Sequence, residues 1–343
     1  MRLEVFRHVR DLSQRSIDAL ITLCHVCQQW RADVLGAPTL WSSIHNHSFV
    51  SYNLNLVRFV LQDILGTHRT LLSVRLGFNC DAEILHFVLK GFAMRIVCLS
   101  FGAHDGPLQL GFNTSSRVLA TELPKTGSTL QELQLCDVKI PASAFDGDFR
   151  NFRTLKLSYC TFRWRFNSLT TLRTLAIYYP GTRADWQIIT LLLVQLTQLE
   201  DFSFSQALSL GKDVDLAVPV SLTKVAIPFN PPSLSIFRVS ENTIHSMMHL
   251  FHQLRFPPNQ LKELDVSINY HRYNSDYEVE DVPSMERQFR TLFSTWFGPE
   301  PFPNNSRCAD GCCLTFAYGK TDVRLCVEKP YRGTGDESGS EEG

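Results

Sequence analysis

Apolar residues recur along this chain in a fixed rhythm, an initial position followed by others three and five residues later. The triplets are Leu71/Val74/Leu76, Ile96/Leu99/Phe101, Leu130/Leu133/Leu135, Phe152/Leu155/Leu157, Leu172/Leu175/Ile177, Leu199/Phe202/Phe204, Leu222/Val225/Ile227 and Leu261/Leu264/Val266. The last two members of each triplet are two residues apart, as strand residues sharing one face are. Several intervening segments carry helical spacing instead. Ile84, Leu85, Val88, Leu89 and Phe92 form one face of a helix after Asp81. Ile244, Met247, Met248, Phe251 and Leu254 form another, with Asn242 or Thr243 as N-cap and Pro257-Pro258 as the stop. Strand then helix, repeated, predicts an α/β chain whose parallel strands line a horseshoe.

The first positions of the triplets are 20 to 39 residues apart, and most intervals fit the unit of roughly 20 to 29 residues of a leucine-rich repeat. An asparagine or cysteine three residues after the last apolar position, as in such repeats, occurs at Asn79, Cys160, Asn230 and Asn269. A short polar side chain there can satisfy backbone groups where the strand turns away. The chain thus resembles a divergent leucine-rich-repeat solenoid over residues 49–282. In that geometry the residues between the core positions face the concave side. They read Arg75, Glu132, Gln134, Lys156, Tyr178, Asp201, Lys224, Glu263 and Asp265, the candidate surface for a protein substrate. Glu263 and Asp265 make its late end acidic, which suits a basic segment on a partner or simply a solvated face.

Ahead of the repeats, Leu23, Val26, Trp30 and Val34 step by three, four and four, which predicts one amphipathic helix from about Ile17 to Leu35. Ser16 is its candidate N-cap, and Gly36 with Pro38 its end. On spacing alone this is a core-facing helix.

The arrangement Val26-Cys27-Gln28-Gln29-Trp30-Arg31, then Leu35, Pro38 and Leu40-Trp41-Ser42-Ser43-Ile44, resembles the second half of an F-box. It is similar to those of the large fungal families of F-box/leucine-rich-repeat proteins, and covers residues 1–48. The resemblance implies that Val26, Trp30, Leu35, Pro38, Leu40 and Trp41 form an adaptor-binding module. It would present an apolar surface to a Skp-type adaptor and through it to a cullin-based ubiquitin ligase, with Trp30 and Trp41 holding the fold more than touching the adaptor. In the family the motif opens on Leu-Pro, whereas this sequence begins Met1-Arg2-Leu3-Glu4-Val5-Phe6. That difference implies either a later start or weaker adaptor binding.

After the repeats, Met285, Phe289, Leu292, Phe293 and Trp296 have helical spacing, and Cys313–Tyr318 with Val323–Val327 predict a hairpin about Gly319-Lys320-Thr321-Asp322. Residues 283–331 are therefore a candidate C-terminal cap, since a repeat array needs its end covered. Residues 332–343 offer nothing to bury and predict a disordered acidic tail.

Composition narrows the function. With 343 residues, 44% apolar, 20% charged and a formal charge of −1, the chain is of globular type, and no excess charge draws it to nucleic acid or to an anionic membrane. The apolar run Ile188 to Val194 is too short to span a bilayer. Ten cysteines spread over a long chain at apolar positions such as Cys24, Cys98 and Cys326 fit reduced thiols better than a disulfide framework. Asn46, Asn113 and Asn304 match the glycosylation pattern, which has no weight without a secretory signal. The expectation is an intracellular protein, cytoplasmic or nuclear.

Candidate chemistry is sparse. Gly319-Lys320-Thr321 imitates the end of a phosphate-binding loop, but residue 314, where the first glycine belongs, is leucine. His245, His249 and His252 share a helix face opposite its apolar stripe and fit a solvated surface. Cys308, Cys312, Cys313 and Cys326 could together form a zinc site, but adjacent strand residues point to opposite faces, which fits plain thiols better. No metal or cofactor and no catalytic residue is expected. The leading expectation is a substrate-recognition subunit of an F-box-type ubiquitin ligase; the alternative is a non-catalytic interaction scaffold that does not bind the adaptor.

Overall fold

Four short helices open the chain: α1 (Arg2–Leu12), α2 (Ser16–Cys24), α3 (Gln28–Leu35) and α4 (Pro38–Trp41). This is a computed structural model, and it describes residues 2–13, 16–46, 54–66, 69–76, 82–102, 112–164, 166, 168–184, 186–208, 231–241, 250–251, 254, 260–269, 311–318 and 321–328. The single helix expected over Ile17–Leu35 is broken at His25–Cys27. Cys27 takes an extended conformation, and its sulfur accepts the Trp30 N–H at 3.4 Å, which starts α3 afresh. Pro38 opens α4 at a first-turn position, where its missing N–H costs nothing.

These helices are tied together by polar bonds to main-chain carbonyls. Arg10 donates to the carbonyls of Thr39 and Leu40, and Arg31 to that of Cys24. The Trp41 indole N–H donates to the Val34 carbonyl at 2.9 Å. Phe6 packs edge-on against Trp30, centroids 5.1 Å apart.

Immediately after α4 the chain enters a sheet. Its strands are β1 (Ser43–Asn46), β2 (Leu72–Leu76), β3 (Ile96–Phe101), β4 (Glu132–Cys136), β5 (Thr154–Ser158), β6 (Thr174–Tyr178), β7 (Asp201–Ser205), β8 (Ile236–Glu241), β9 (Glu263–Asn269), β10 (Gly311–Tyr318) and β11 (Thr321–Glu328). They form one eleven-stranded sheet in the order β1 through β9, then β11, then β10. β1 to β9 run parallel, β11 adds parallel to β9, and β10 closes the series antiparallel to β11.

The crossovers differ from one to the next. α5 (Leu54–Arg58) runs into a π-helical turn at Phe59–Ile64 before β2, and α6 (Ala82–Phe92) and α7 (Phe112–Glu122) precede β3 and β4. Ahead of β5 there is only a 3-10 turn, Ala142–Phe145, and α8 (Trp186–Gln195) returns before β7.

The α/β class agrees with the sequence, but the leucine-rich-repeat horseshoe preceded by a helical module does not. Its strands belong to a single sheet whose first strand comes from within residues 1–48 and whose last two form a hairpin. The physical reason is that alternation within a strand reports which face is buried, not how strands are joined or how the sheet closes. A strand that the triplets did not name, β8, lies at Ile236–Glu241; the triplet Leu222/Val225/Ile227 falls outside the described residues. So do the cap helix, the tail, Asn79, Asn230 and most of the helix expected from Ile244, of which Phe251 and Leu254 are described and buried.

In-register pairing stacks the core into two apolar rows. One runs Ile44, Val74, Leu99, Leu133, Leu155, Leu175, Phe202, Phe237, Leu264, and the other Leu76, Phe101, Leu135, Leu157, Ile177, Phe204, Val239, Val266, all buried. The predicted face of α6, Ile84, Leu85, Val88, Leu89 and Phe92, is buried as well.

At the ends of four successive strands the chain turns through a left-handed residue that is not glycine: Asp137, Tyr159, Tyr179 and Gln206, with φ from 49° to 54°. Each costs about 1 to 2 kcal/mol of backbone strain, offset by a bond to the neighbouring strand. Their N–H groups donate at 2.8 to 2.9 Å to the carbonyls of Ser158, Tyr178, Ser205 and Ser240. Cys160 joins this rim, donating its thiol to the carbonyls of Leu135 and Ser158. After β3 the residue is Gly102 at φ 86°, where an added Cβ would lie 2.5 Å from the Cys136 carbonyl oxygen. Gly102→Ala is therefore expected to destabilise the fold by at least about 2 kcal/mol in urea unfolding. A loss below about 0.5 kcal/mol would mean that this turn is not under the stated constraint.

Candidate functional site

The side of the sheet opposite the apolar rows is polar, and register fixes which residues stand together on it. One row reads Ser73, Cys98, Glu132, Thr154, Thr174, Asp201, Ile236, Glu263 from β2 to β9. The next reads Arg75, Ser100, Gln134, Lys156, Ala176, Ser203, Arg238, Asp265. A third, nearest the strand ends, reads Cys136, Ser158, Tyr178, Ser205, Ser240, Ser267. Eight of the nine residues predicted for the substrate surface lie on this face; Lys224 is outside the described residues. Arg75 and Glu132 are exposed, and Gln134, Lys156, Tyr178, Asp201, Glu263 and Asp265 are half-buried. At about 4.8 Å per strand, Arg75 and Asp265 stand seven strand steps, or about 34 Å, apart along the sheet.

The residue that sequence reasoning missed here is Arg238. Its Nε and Nη2 donate to the two carboxylate oxygens of Glu263 at 2.6 and 3.0 Å, and its Nη1 donates to Asp201 at 3.1 and 3.2 Å. One guanidinium on β8 thus bridges carboxylates on both neighbouring strands. The Glu263 hydrogen bond, outweighing the opposing effect of burial, and then Asp201 hold it above its ordinary pKa. The signal was present: Leu234, Phe237 and Val239 form the same apolar triplet, and Arg238 sits at its outward fourth step. With Arg238 counted, the late end is of mixed sign: a cation stands between Asp201 and Glu263.

Arg238 is 38% exposed by side chain, so solvent screens the pair energies and Arg238→Ala is expected to cost only about 1 kcal/mol of stability. Its larger effect would be to remove the cation that bridges Asp201 and Glu263, and binding of any charged partner to this face should become more salt-dependent. An unchanged salt dependence would show that the partner does not sense this cluster.

The centre of the face is floored by small residues. Ala176, Ser158, Ser203 and Ser205 are buried beneath longer neighbours. Ser158 and Ser205, at 4% and 6% exposure, flank Tyr178 on adjacent strands. At the rim, Tyr159 and Tyr179 stack with rings 4.9 Å apart and 6° from parallel. Burial first, then the neighbouring Tyr179 and Cys136, raise the Tyr159 phenol.

The thiols on and near this face are held in the protonated form. Burial pushes Cys136 up to about 11 and Cys160 up to about 12. Cys98 is raised by burial too, although hydrogen bonds to Arg75 and Ser73 oppose the shift, and it donates weakly to Glu132 at 3.6 Å. Thiols so shifted are poor nucleophiles near neutral pH. Among the described residues no three His, Cys, Asp or Glu side chains are grouped to hold a metal ion, and no helix is long and apolar enough to cross a membrane. His245, His249, His252 and Cys308 are outside the described residues. The face presents hydroxyls and mixed charge.

A second surface lies on the N-terminal helices. Of the residues assigned by resemblance to adaptor binding, Val26 and Leu35 are exposed, Trp30 and Pro38 half-buried, and Leu40 and Trp41 buried. The last two support the helices from within. Sequence reasoning missed α1, whose Phe6 is buried while Val5, Val9 and Leu12 are 37 to 73% exposed. Their spacing of four and three puts them on one stripe. Of eleven large hydrophobic side chains exposed among the described residues, six belong to the first 35 residues: Leu3, Val5, Val9, Leu12, Val26 and Leu35. No family model matches the chain, and no curated protein matches it.

Proposed function

We propose that this protein is a non-catalytic receptor subunit of a cullin-type ubiquitin ligase. Its F-box-like N-terminal helices dock on a Skp-type adaptor, and the polar face of its sheet holds a protein substrate. The observation that carries this reading is the concentration of exposed apolar side chains on α1, at Leu3, Val5, Val9 and Leu12. Scattered exposed hydrophobics are ordinary, but a group of them on one short segment marks an interaction surface. The resemblance of residues 26–44 to an F-box supplies the partner. The protonated thiols and the mixed-charge, hydroxyl-lined face support binding over chemistry at the other surface.

In this role the protein raises effective concentration. With substrate and ligase core on one chain, the encounter of a substrate lysine with charged ubiquitin-conjugating enzyme becomes nearly intramolecular, and no residue of the receptor needs to react. Such a protein works inside the cell, in cytoplasm or nucleus.

The double substitution Val5→Asp/Val9→Asp tests the reading. Both positions are exposed, so the fold is expected to lose no more than about 1 kcal/mol. Adaptor co-purification should fall at least about tenfold, because docking would bury two unpaired carboxylates. Retention of adaptor at the wild-type level by the folded variant would remove α1 from the docking surface.

A further inference from the structure

The last two strands of the sheet are ordered in the reverse of what an open edge calls for. Among the described residues β10 pairs with β11 alone. In an antiparallel pair half of a strand's N–H and C=O groups point away from its neighbour, so β10 turns such a row away from β11, and no strand among the described residues takes it. The pairing runs unbroken over eight residues from Gly311 opposite Glu328 to Tyr318 opposite Thr321, without a bulge to twist the edge aside. Natural edges are kept apart by charge, proline, bulges or brevity. β1, at the far end, has four residues. β10 reads Gly-Cys-Cys-Leu-Thr-Phe-Ala-Tyr, with neither charge nor proline, while the inner strand β11 carries Asp322, Arg324 and Glu328.

We propose that β10 is a dimerisation strand, pairing antiparallel with β10 of a second copy of this chain to continue the sheet across a two-fold axis. Antiparallel self-pairing is what a two-fold axis perpendicular to the sheet produces, and it closes the assembly at two copies. A strand without charge meets no like-charge repulsion when it faces itself, in whatever register. Residues of like parity face each other in such a pair, so the nearest to full overlap centres on Leu314 or on Thr315, each opposite itself in the second copy, and satisfies the outward groups of alternate residues. Pairing of β10 with β1 of another copy would instead be head-to-tail and would propagate, and β1 offers too short a strand. The dimer would carry two copies of the polar face, so a partner with two matching segments would be held with avidity.

Sedimentation velocity of the full chain in reducing buffer, from about 1 to about 100 μM, brackets a micromolar Kd and prevents Cys312 or Cys313 from linking copies covalently. The expected result is a dimer that forms with concentration, together with slower amide exchange at alternate residues of 311–318 as it forms. Thr315→Lys, which adds the charge that edges normally carry, should weaken the dimer at least about tenfold with an unchanged circular dichroism spectrum. A chain that stays monomeric at the highest concentration overturns the proposal. So does a dimer whose formation leaves exchange in β10 unchanged, a readout on the native chain that holds even if Thr315→Lys fails to fold.

Discussion

Trp41→Ala is expected to destabilise the protein by about 3 to 5 kcal/mol. The side chain is 1% exposed, so truncation removes its whole buried surface and leaves a cavity in the core. It also strips the Val34 carbonyl of its indole donor. Trp41→Phe separates the two parts: it keeps most of the apolar volume and loses the hydrogen bond, and should cost about 1 to 2 kcal/mol. Urea unfolding monitored by circular dichroism gives both values. If Trp41→Ala costs less than about 1 kcal/mol, the N-terminal helices do not depend on this residue.

Glu241→Gln is expected to flatten the pH dependence of stability and to stabilise the protein above neutral pH. Glu241 ends β8 with 3% exposure, and its Oε1 accepts the N–H groups of Ala207 at 2.8 Å and Leu208 at 3.2 Å. Neighbouring rim turns, such as those at Val138 and Thr161, bond to each other through main chain; after β7 this side chain takes that place. Burial pushes its carboxyl from the ordinary 4.5 up to about 7, against the opposing pull of the two N–H groups and Arg183.

The sign follows directly. Below pH about 4.5 the group is protonated in both folded and unfolded chains. Between about 4.5 and 7 the folded protein keeps a proton that the unfolded chain has released, so stability falls by about 1.4 kcal/mol per pH unit. Above about 7 the loss is constant at about 3 kcal/mol. Glutamine keeps both accepted hydrogen bonds and has no proton to lose, so the difference between Glu241→Gln and wild type should grow from pH 5 to 7 and then level off. Glu241→Ala, which orphans two buried N–H groups, should instead destabilise at every pH, by about 1 to 3 kcal/mol for each. Parallel stability curves for wild type and Glu241→Gln would show that the carboxyl titrates alike in both states.

Much of the sheet was legible in the sequence because its core uses period-two alternation with almost no exceptions. The third- and fifth-step residues of the seven triplets within the described residues are all buried. Leu71 departs, exposed beside the buried Leu72, where the pairing of β2 with β3 shifts register. The missed strands show where the signal ends. β1 pairs through Ser43 to Asn46 and has Ile44 as its inward residue, too little alternation to distinguish from the end of a helical motif. β8 carried the pattern at Leu234, Phe237 and Val239, but the competing triplet at Leu222 filled the expected interval.

The candidate surfaces were legible in different measure. Alternation gave the polar face residue by residue, but the Arg238 bridge depends on register between strands 25 and 37 residues distant in sequence, which composition cannot reveal. On the N-terminal helices, helical spacing placed Val26 in the buried stripe with Leu23 and Val34. Cys27 breaks that helix, and Val26 is instead 57% exposed in the turn. The left-handed positions had no signal at all, since aspartate, tyrosine and glutamine occupy turns where glycine would be expected.

Titration of the purified, folded full chain with a purified Skp-type adaptor, read by calorimetry, tests the central claim most directly. Truncation before β2 is no substitute, because it would remove β1 and the buried residues Phe6, Ile17, Leu20, Leu40, Trp41 and Ile44 with it. The account predicts a saturable one-to-one complex with a Kd of about 1 μM or tighter, and a negative heat-capacity change from apolar burial. Absence of binding at about 100 μM adaptor would contradict it.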